Sequence, residues 1–314
     1  MQRPGVFRLY AREKRLPAKG SKGTERMLHR FRTLVTLAAL LLPGMAFAQS
    51  ALDPQGLEIR GAPVDDGTGF QVAATKIAAD AQWLDGFLHI LMAVIVVFVL
   101  GLLAIVIVRY NQRANKEPAT FTHNQPLEIA WTFIPVVILI FIGAFSLPVL
   151  FDQQRIPEGD VTIKTTGYQW YWGYEYPEHG IEYEAYMLQP EELAAHGYTQ
   201  DEFRLATDTA MVIPTGKTIV VQVTAADVIH SWTVPAFGVK QDGIPGRLAE
   251  LWFEVPEGEE GIYFGQCSEL CGKDHAYMPI TVKAVTQEEY DAWLDAAIEE
   301  YAGIPRTVTF AAAD

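Results

Sequence analysis

Two long apolar stretches divide the chain. Between Phe87 and Val108 only His89 and glycine break a run of aliphatic and aromatic residues, and the stretch from Ile129 to Phe151 is apolar apart from Thr132, Pro135, Ser146 and Pro148. Each has the length that a helix needs to cross the hydrocarbon core of a bilayer, and internal proline is tolerated where neighbouring groups satisfy the freed backbone. The loop 109–126 carries Arg109, Arg113 and Lys116 against the single acid Glu117, while Asp80 and Asp85 precede the first run. Positive loops stay in the cytoplasm. The pattern therefore predicts a transmembrane hairpin over 83–151, with spans at 87–108 and 129–151 and both ends outside.

Beyond Phe151 the period changes. Short alternating runs rich in Val, Ile, Thr and aromatics occur at Val161–Thr166, Thr218–Thr224, Leu251–Val255, Gly261–Gln266 and Pro279–Val285, separated by Gly, Pro and acidic turns. This predicts an antiparallel sandwich or Greek-key barrel over 152–285. A last element, within 286–314, is helical: Thr286 and Glu289 make a capping-box pattern, and Tyr290, Trp293, Leu294, Ala297 and Ile298 recur at helical spacing. Strand alternation would put Tyr168, Trp170, Trp172, Tyr174 and Tyr176 on one face. Residues 49–82, punctuated by Pro54, Gly56, Gly61, Pro63, Gly67 and Gly69, read as an exposed lead-in.

The first 48 residues have a different logic. Arg26, Arg30 and Arg32 precede the apolar stretch Leu34–Leu42, then Pro43, Gly44 and the small-residue pattern Ala46-Phe47-Ala48. This is the form of a cleaved secretory signal, with cleavage expected after Ala48. Met27 would begin a signal of ordinary length, so residues 1–26 read as a basic extension ahead of the true start. Leu34–Leu42 is too short to stay as a span.

Charge sharpens the picture of partners. The net formal charge is −14, yet residues 1–32 hold ten bases and two acids, and from Asp152 onward there are 28 acids against nine bases. An outer domain this acidic excludes nucleic acid and suits a basic partner, steered in at a rate that falls with salt.

Candidate chemistry is concentrated in Cys267-Ser268-Glu269-Leu270-Cys271-Gly272-Lys273-Asp274-His275-Ala276-Tyr277-Met278 and the distant His230. Thiolate, imidazole and thioether are soft donors, and softness selects copper. One Cys, two His and an axial Met would serve a single copper ion. A second Cys four residues away lets two thiolates bridge two ions, leaving His230 and His275 as terminal ligands, with Met278 and the Glu269 carbonyl as the weaker pair. Two bland alternatives stand beside this reading: a disulfide in an oxidising compartment and a tetrahedral zinc site. Neither has a use for Met278.

The run C-S-E-L-C-G-K-D-H-A-Y-M-P, with D-V-I-H-S-W-T-V-P (Asp227–Pro235), K-Q-D-G-I-P-G-R (Lys240–Arg247), Y-Q-W-Y-W-G-Y-E-Y (Tyr168–Tyr176) and P-L-E-I-A-W-T (Pro126–Thr132), resembles subunit II of the haem-copper cytochrome c oxidases. The resemblance spans about Trp83 to Pro279. It implies a membrane-anchored, cupredoxin-like Greek-key domain with a dinuclear copper centre held by His230, Cys267, Glu269, Cys271, His275 and Met278, and a magnesium ion shared with subunit I through the Glu269 carboxylate. It further implies electron intake from reduced cytochrome c at Trp170 and docking at Tyr171, Glu175 and Asp208. Glu128 would stand at the mouth of a proton channel in subunit I, and Asp227, Asp242 and Arg247 would face that subunit. Electrons would pass on to haem in subunit I, where oxygen is reduced to water and protons are pumped, so "enzyme" describes the assembly with subunits I and III. The implied location is a bacterial inner membrane, embedded in lipid, with the C-terminal domain in the periplasm.

No C-x-x-C-H occurs, so covalent haem is not expected. For His89, near a span end, a solvated interfacial side chain is the simplest reading. Rival functions are a quinol oxidase subunit II, which is disfavoured by the intact Cys, His and Met set, and a membrane-tethered copper-binding or copper-delivery protein acting alone.

Overall fold

The computed structural model describes residue 53 and residues 56–302. The predicted signal segment, with Met27 and the cleavage point after Ala48, lies outside the described residues, as does the tail after residue 302.

Both apolar runs are helical. Helix α1 spans Lys76–Arg109 and is capped by Thr75, whose side chain accepts from the Ala78 N–H. Helix α2 spans Gln125–Gln154, with Asn124 capping the Leu127 N–H and Pro126 in the first turn. Pro135 and Pro148 lie inside α2. At 34 residues and 1.5 Å per residue, α1 is about 51 Å long, well beyond the ~30 Å hydrocarbon core. The surplus is at its N-terminal end, which hydropathy did not register because those residues are polar. There the helix docks on protein. The Ala74 N–H donates to the Ala236 carbonyl at 2.8 Å, the Thr75 hydroxyl to the Phe237 carbonyl at 2.7 Å, and Ile77 and Ala78 are buried. The helices meet through Trp83, Phe87, Phe141 and Phe145, where Phe87 and Phe145 centroids are 5.3 Å apart. Elsewhere their aliphatic side chains face outward, as lipid requires.

The rest is a β-sandwich. One sheet has the order β4-β3-β2-β6-β9, from Ile181–Ala185, Tyr171–Tyr176, Val161–Tyr168, Ile219–Ala225 and Ala249–Phe253. The other has the order β1-β10-β11-β5, from Ile59–Gly61, Gly261–Gln266, Pro279–Val285 and Met211–Pro214. A short hairpin, β7 (His230–Val234) with β8 (Val239–Gly243), completes the described strands. Helix α3, Gln287–Tyr301, closes the domain with its capping box formed as expected. The expected strands are all present, but the sheets are mixed. Hairpin neighbours pair antiparallel, whereas β2 with β6, β11 with β5 and β1 with β10 run parallel, joining strands far apart in sequence.

Two expectations are corrected. The lead-in is not wholly exposed. Strand β1 pairs with the edge of β10, Ile262 N–H donates to Glu58 O at 2.8 Å, and Leu57, Ile59 and Ala62 pack on a small core of Leu188, Leu193, Tyr198, Ile262 and Phe264. Asp53 forms an ion pair with Lys283, which is buried in β11. Nor do five aromatics share one face. The chain turns between β2 and β3 at Gln169 and Trp170, so Trp172, Tyr174 and Tyr176 alone point inward. Tyr168 and Tyr171 instead stack outside with centroids 4.7 Å apart.

The large core lies between the sheets. Trp172, Trp232, Trp293, Tyr174, Tyr176 and Tyr263 are its bulkiest members, and Phe237 stacks on Phe253 at 4.6 Å. The buried Tyr176 hydroxyl is tied in on both sides: it donates to the Val212 carbonyl (2.8 Å) and accepts from the Val212 N–H (3.0 Å).

Candidate metal centre

The donor residues gather at one end of the sandwich. His230 opens β7, fully buried beneath β2, where Gly167 leaves room for the ring: a Cβ there would stand 2.8 Å from imidazole carbons. Cys267, Cys271 and Met278 are buried on the loop between β10 and β11, while His275 begins a short 3-10 turn on the same loop. Hydrogen bonds to its backbone help fasten this loop. Ser268 N–H donates to Ser231 O at 2.9 Å, and Trp172 Nε1 donates to Met278 O at 3.3 Å.

Among the described residues, the ligand atoms of His230, Cys267 and Cys271 come within 4.8 Å of one another. The two sulfurs are unbonded thiols 3.8 Å apart, far beyond the ~2.05 Å of a disulfide. Each sulfur faces one imidazole, Cys267 to His230 Nδ1 at 3.8 Å and Cys271 to His275 Nδ1 at 3.5 Å. Met278 Sδ lies 3.4 Å from Cys271 Sγ, and the Glu269 carbonyl lies 3.4 Å from Cys267 Sγ. The Glu269 carboxylate is on the exposed side of the loop.

Electrostatics favour a cation here. Burial alone would raise the Cys267 thiol, but hydrogen bonds with His230, the Glu269 and Ser231 backbone and His275 outweigh it and hold the thiol below its ordinary value. Burial, and then the charge of Cys267, push the Cys271 thiol up. Two adjacent thiolates therefore need positive charge beside them, and the sulfur, imidazole and thioether donors fit a soft ion better than a hard one. His230 is oriented from behind: its Nε2 lies 2.9 Å from Asp227 Oδ1, which leaves Nδ1 for the sulfur side. Burial works against a charged His230, yet Cys267 and Asp227 raise it above its ordinary value. Burial likewise lifts Asp227, but His230 and the N–H groups of Val228 and Gln169 hold its carboxyl below the usual range.

The other candidate residues lie in several places. Trp170 is part-buried over the metal loop, its indole N–H 3.3 Å from the Cys271 carbonyl and Lys273 Nζ 5.3 Å from its ring. Tyr171 stacks between Tyr168 and Tyr186. Glu175 forms an ion pair with Lys164 at 2.6 Å, and Asp208 accepts from Tyr186 and Thr209 N–H groups at 2.8 Å. Asp242 sits opposite Ser231 in the β7–β8 hairpin, and the Arg247 N–H closes a turn onto Ile244 O. Glu128 is in the first turn of α2, remote in sequence from the loop, and its carboxylate accepts the Asn124 N–H at 3.1 Å. His89 Nδ1 lies 2.9 Å from the Asp85 carbonyl. Gln169 escaped the sequence reading, although its place beside Trp170 was a clue.

A two-helix membrane anchor carrying a sandwich with a Cys2His2Met set at one end, buried except for the half-buried His275, defines a membrane-tethered, cupredoxin-like metal protein. Comparison with known proteins narrows the class. The model for the periplasmic domain of cytochrome c oxidase subunit II matches residues 161–285, and that for its transmembrane domain matches 63–149. Cytochrome c oxidase subunit 2 of Cereibacter sphaeroides is 59% identical over 267 residues, covering 81% of this chain and 88% of the relative. A probable cytochrome c oxidase subunit 2 of Rickettsia bellii is 44% identical, covering 72% and 82%. The crystal structure of the periplasmic domain of the Bradyrhizobium japonicum oxidase subunit II is 47% identical, covering 47% of this chain and all of that one, with a TM-score of 0.42. The chain belongs to the cytochrome c oxidase subunit II family. It is thus a subunit of cytochrome c oxidase, expected to bind copper and to partner the other subunits of that complex, and the rival of a copper-delivery protein acting alone is not favoured.

Proposed function

We propose that this subunit receives single electrons from reduced cytochrome c at a dinuclear copper centre and hands them to haem in subunit I. The observation that carries the reading is the pair of unbonded buried thiols 3.8 Å apart, each facing its own imidazole. Cys267, Cys271, His230 and His275 would hold the copper, with Met278 and the Glu269 carbonyl as the weaker donors. Such a copper pair supplies a one-electron redox unit whose charge is shared over two metals. The chain does the rest. The sandwich buries His230, Cys267, Cys271 and Met278, and Asp227 fixes the His230 ring.

Trp170, against the Cys271 carbonyl, is the intake residue in this reading, with Tyr171, Glu175 and Asp208 on the docking face. The acidity of the outer domain supports a basic donor. The exposed Glu269 carboxylate would hold magnesium at the border with subunit I. Glu128 would serve the mouth of a proton channel, in addition to capping α2. The setting is the lipid of a bacterial inner membrane, with 152–285 in the periplasm, loop 109–126 in the cytoplasm and residues 1–48 removed.

The test is metal content and spin. The full chain in detergent, reduced and given copper, should bind two coppers and show one unpaired electron spread over both nuclei. One metal per chain, or a spin confined to one nucleus, refutes the reading.

A further inference from the structure

A continuous set of hydrogen bonds joins the two ends of the donor set through a side chain without an assigned role. Gln169 lies in the turn between β2 and β3. Its backbone N–H donates to Asp227 Oδ2 at 2.8 Å, and the other oxygen of that carboxylate is 2.9 Å from His230 Nε2. Its side-chain Nε2 donates to the Cys271 carbonyl at 2.8 Å. The Trp170 indole reaches the same carbonyl at 3.3 Å, past the usual N–H···O range of about 2.7–3.2 Å. Of the two donors on that carbonyl, the carboxamide therefore has the firmer hold. Gly272 makes the approach possible: its φ is +127°, and a Cβ there would stand 3.0 Å from the indole Cζ2 and 3.1 Å from Gln169 Nε2.

We propose that Gln169 is a positioning residue for electron intake, clamping the Cys271–Gly272 peptide so that the Trp170 ring keeps a fixed contact with the backbone carrying a bridging sulfur. The inference rests on the reading of Trp170 given above. Gln169 need not touch the donor protein. It sets the last gap an electron crosses before the sulfur, and a small misplacement in such a gap costs rate steeply.

The test uses the assembled oxidase with Gln169→Met, which keeps length and loses the N–H donors, and Gln169→Glu, which keeps length and turns a donor into an acceptor. The Asp227 bond should survive both, because it is made by backbone. Copper content should stay at the unsubstituted level, the donor's KM should change less than about twofold, and the intake rate should fall on the order of 10- to 100-fold, as for a misplaced reacting group. In the metal-free full chain, amide exchange in 267–275 should quicken in both variants, a readout independent of turnover. An unchanged intake rate in either copper-loaded variant, or unchanged exchange in either variant's metal-free chain, would overturn the proposal. A change confined to KM would also overturn it, assigning Gln169 to docking. Trp170→Phe, run in parallel, separates the two ideas: if it leaves intake unaltered the Trp170 reading fails, and if it alone slows intake only the clamp fails.

Discussion

The hairpin and the sandwich use similar apolar residues in opposite ways. In α1 and α2 the aliphatic side chains point outward and no residue of α2 is buried, whereas in the sandwich Trp172, Trp232, Phe237 and Phe253 are sealed from solvent. The helices satisfy their backbone internally and take their environment from lipid. The sandwich must make its own apolar interior by pairing two sheets. One sequence vocabulary thus yields two structures, and the backbone hydrogen-bond pattern decides which face is left for contact.

Alkali should break the two regions apart most completely. Burial raises the phenols of Tyr174, Tyr176 and Tyr183 above their ordinary value. A folded state that favours the neutral phenol holds this stability below the ordinary pKa of about 10 and loses it as pH climbs toward the raised value. The sandwich should unfold cooperatively above about pH 10 while helical circular dichroism persists. Phenolate absorbance appearing gradually, with no unfolding step, would contradict this.

Core truncation comes next. Phe253→Ala should cost the sandwich ~3–5 kcal/mol in denaturant titration, whereas Phe98→Ala on the outward face of α1 should leave that midpoint unmoved. Equal effects would erase the contrast. The reverse experiment is Val97→Asp, which should oppose insertion by about 3 kcal/mol, read as the inserted fraction in a glycosylation or protease-protection assay.

Smaller changes sharpen the boundary between fold and site. Gly167→Ala puts a methyl against the His230 ring and should cost ~1–3 kcal/mol as overpacking, with weaker copper retention under a chelator. Retention equal to the unsubstituted chain would mean that the ring yields freely. Thr286→Ala removes the cap of α3 and should cost ~1 kcal/mol without moving the copper spectrum.

How much of this could be read beforehand follows the physics of each element. Strands β10 and β11 were legible to the residue, since alternation and flanking turns bound them on both sides. The grouping of Cys267, Cys271, His275 and Met278 was legible because soft side chains are rare and these four share one loop, whereas His230, on β7, is brought to them only by the fold. The polar first turns of α1 were not, because hydropathy sees only the part that lipid covers. Strand β1 was hidden too: three residues carry no period, and its partner lies two hundred positions away. The turn at Trp170 was missed because aromatic alternation passes unbroken through a bend, and only pairing shows that Tyr168 and Tyr171 face each other.

The parallel seam of β1 on β10 has a consequence for topology. Residues on either side of the hairpin are neighbours in a single sheet, so both flanks must lie in the same aqueous compartment, and the chain between them crosses the bilayer an even number of times. This parity follows from strand pairing alone, independent of any count of loop charges. It also means that the second sheet is finished only when sequence made before the crossings meets sequence made long after them.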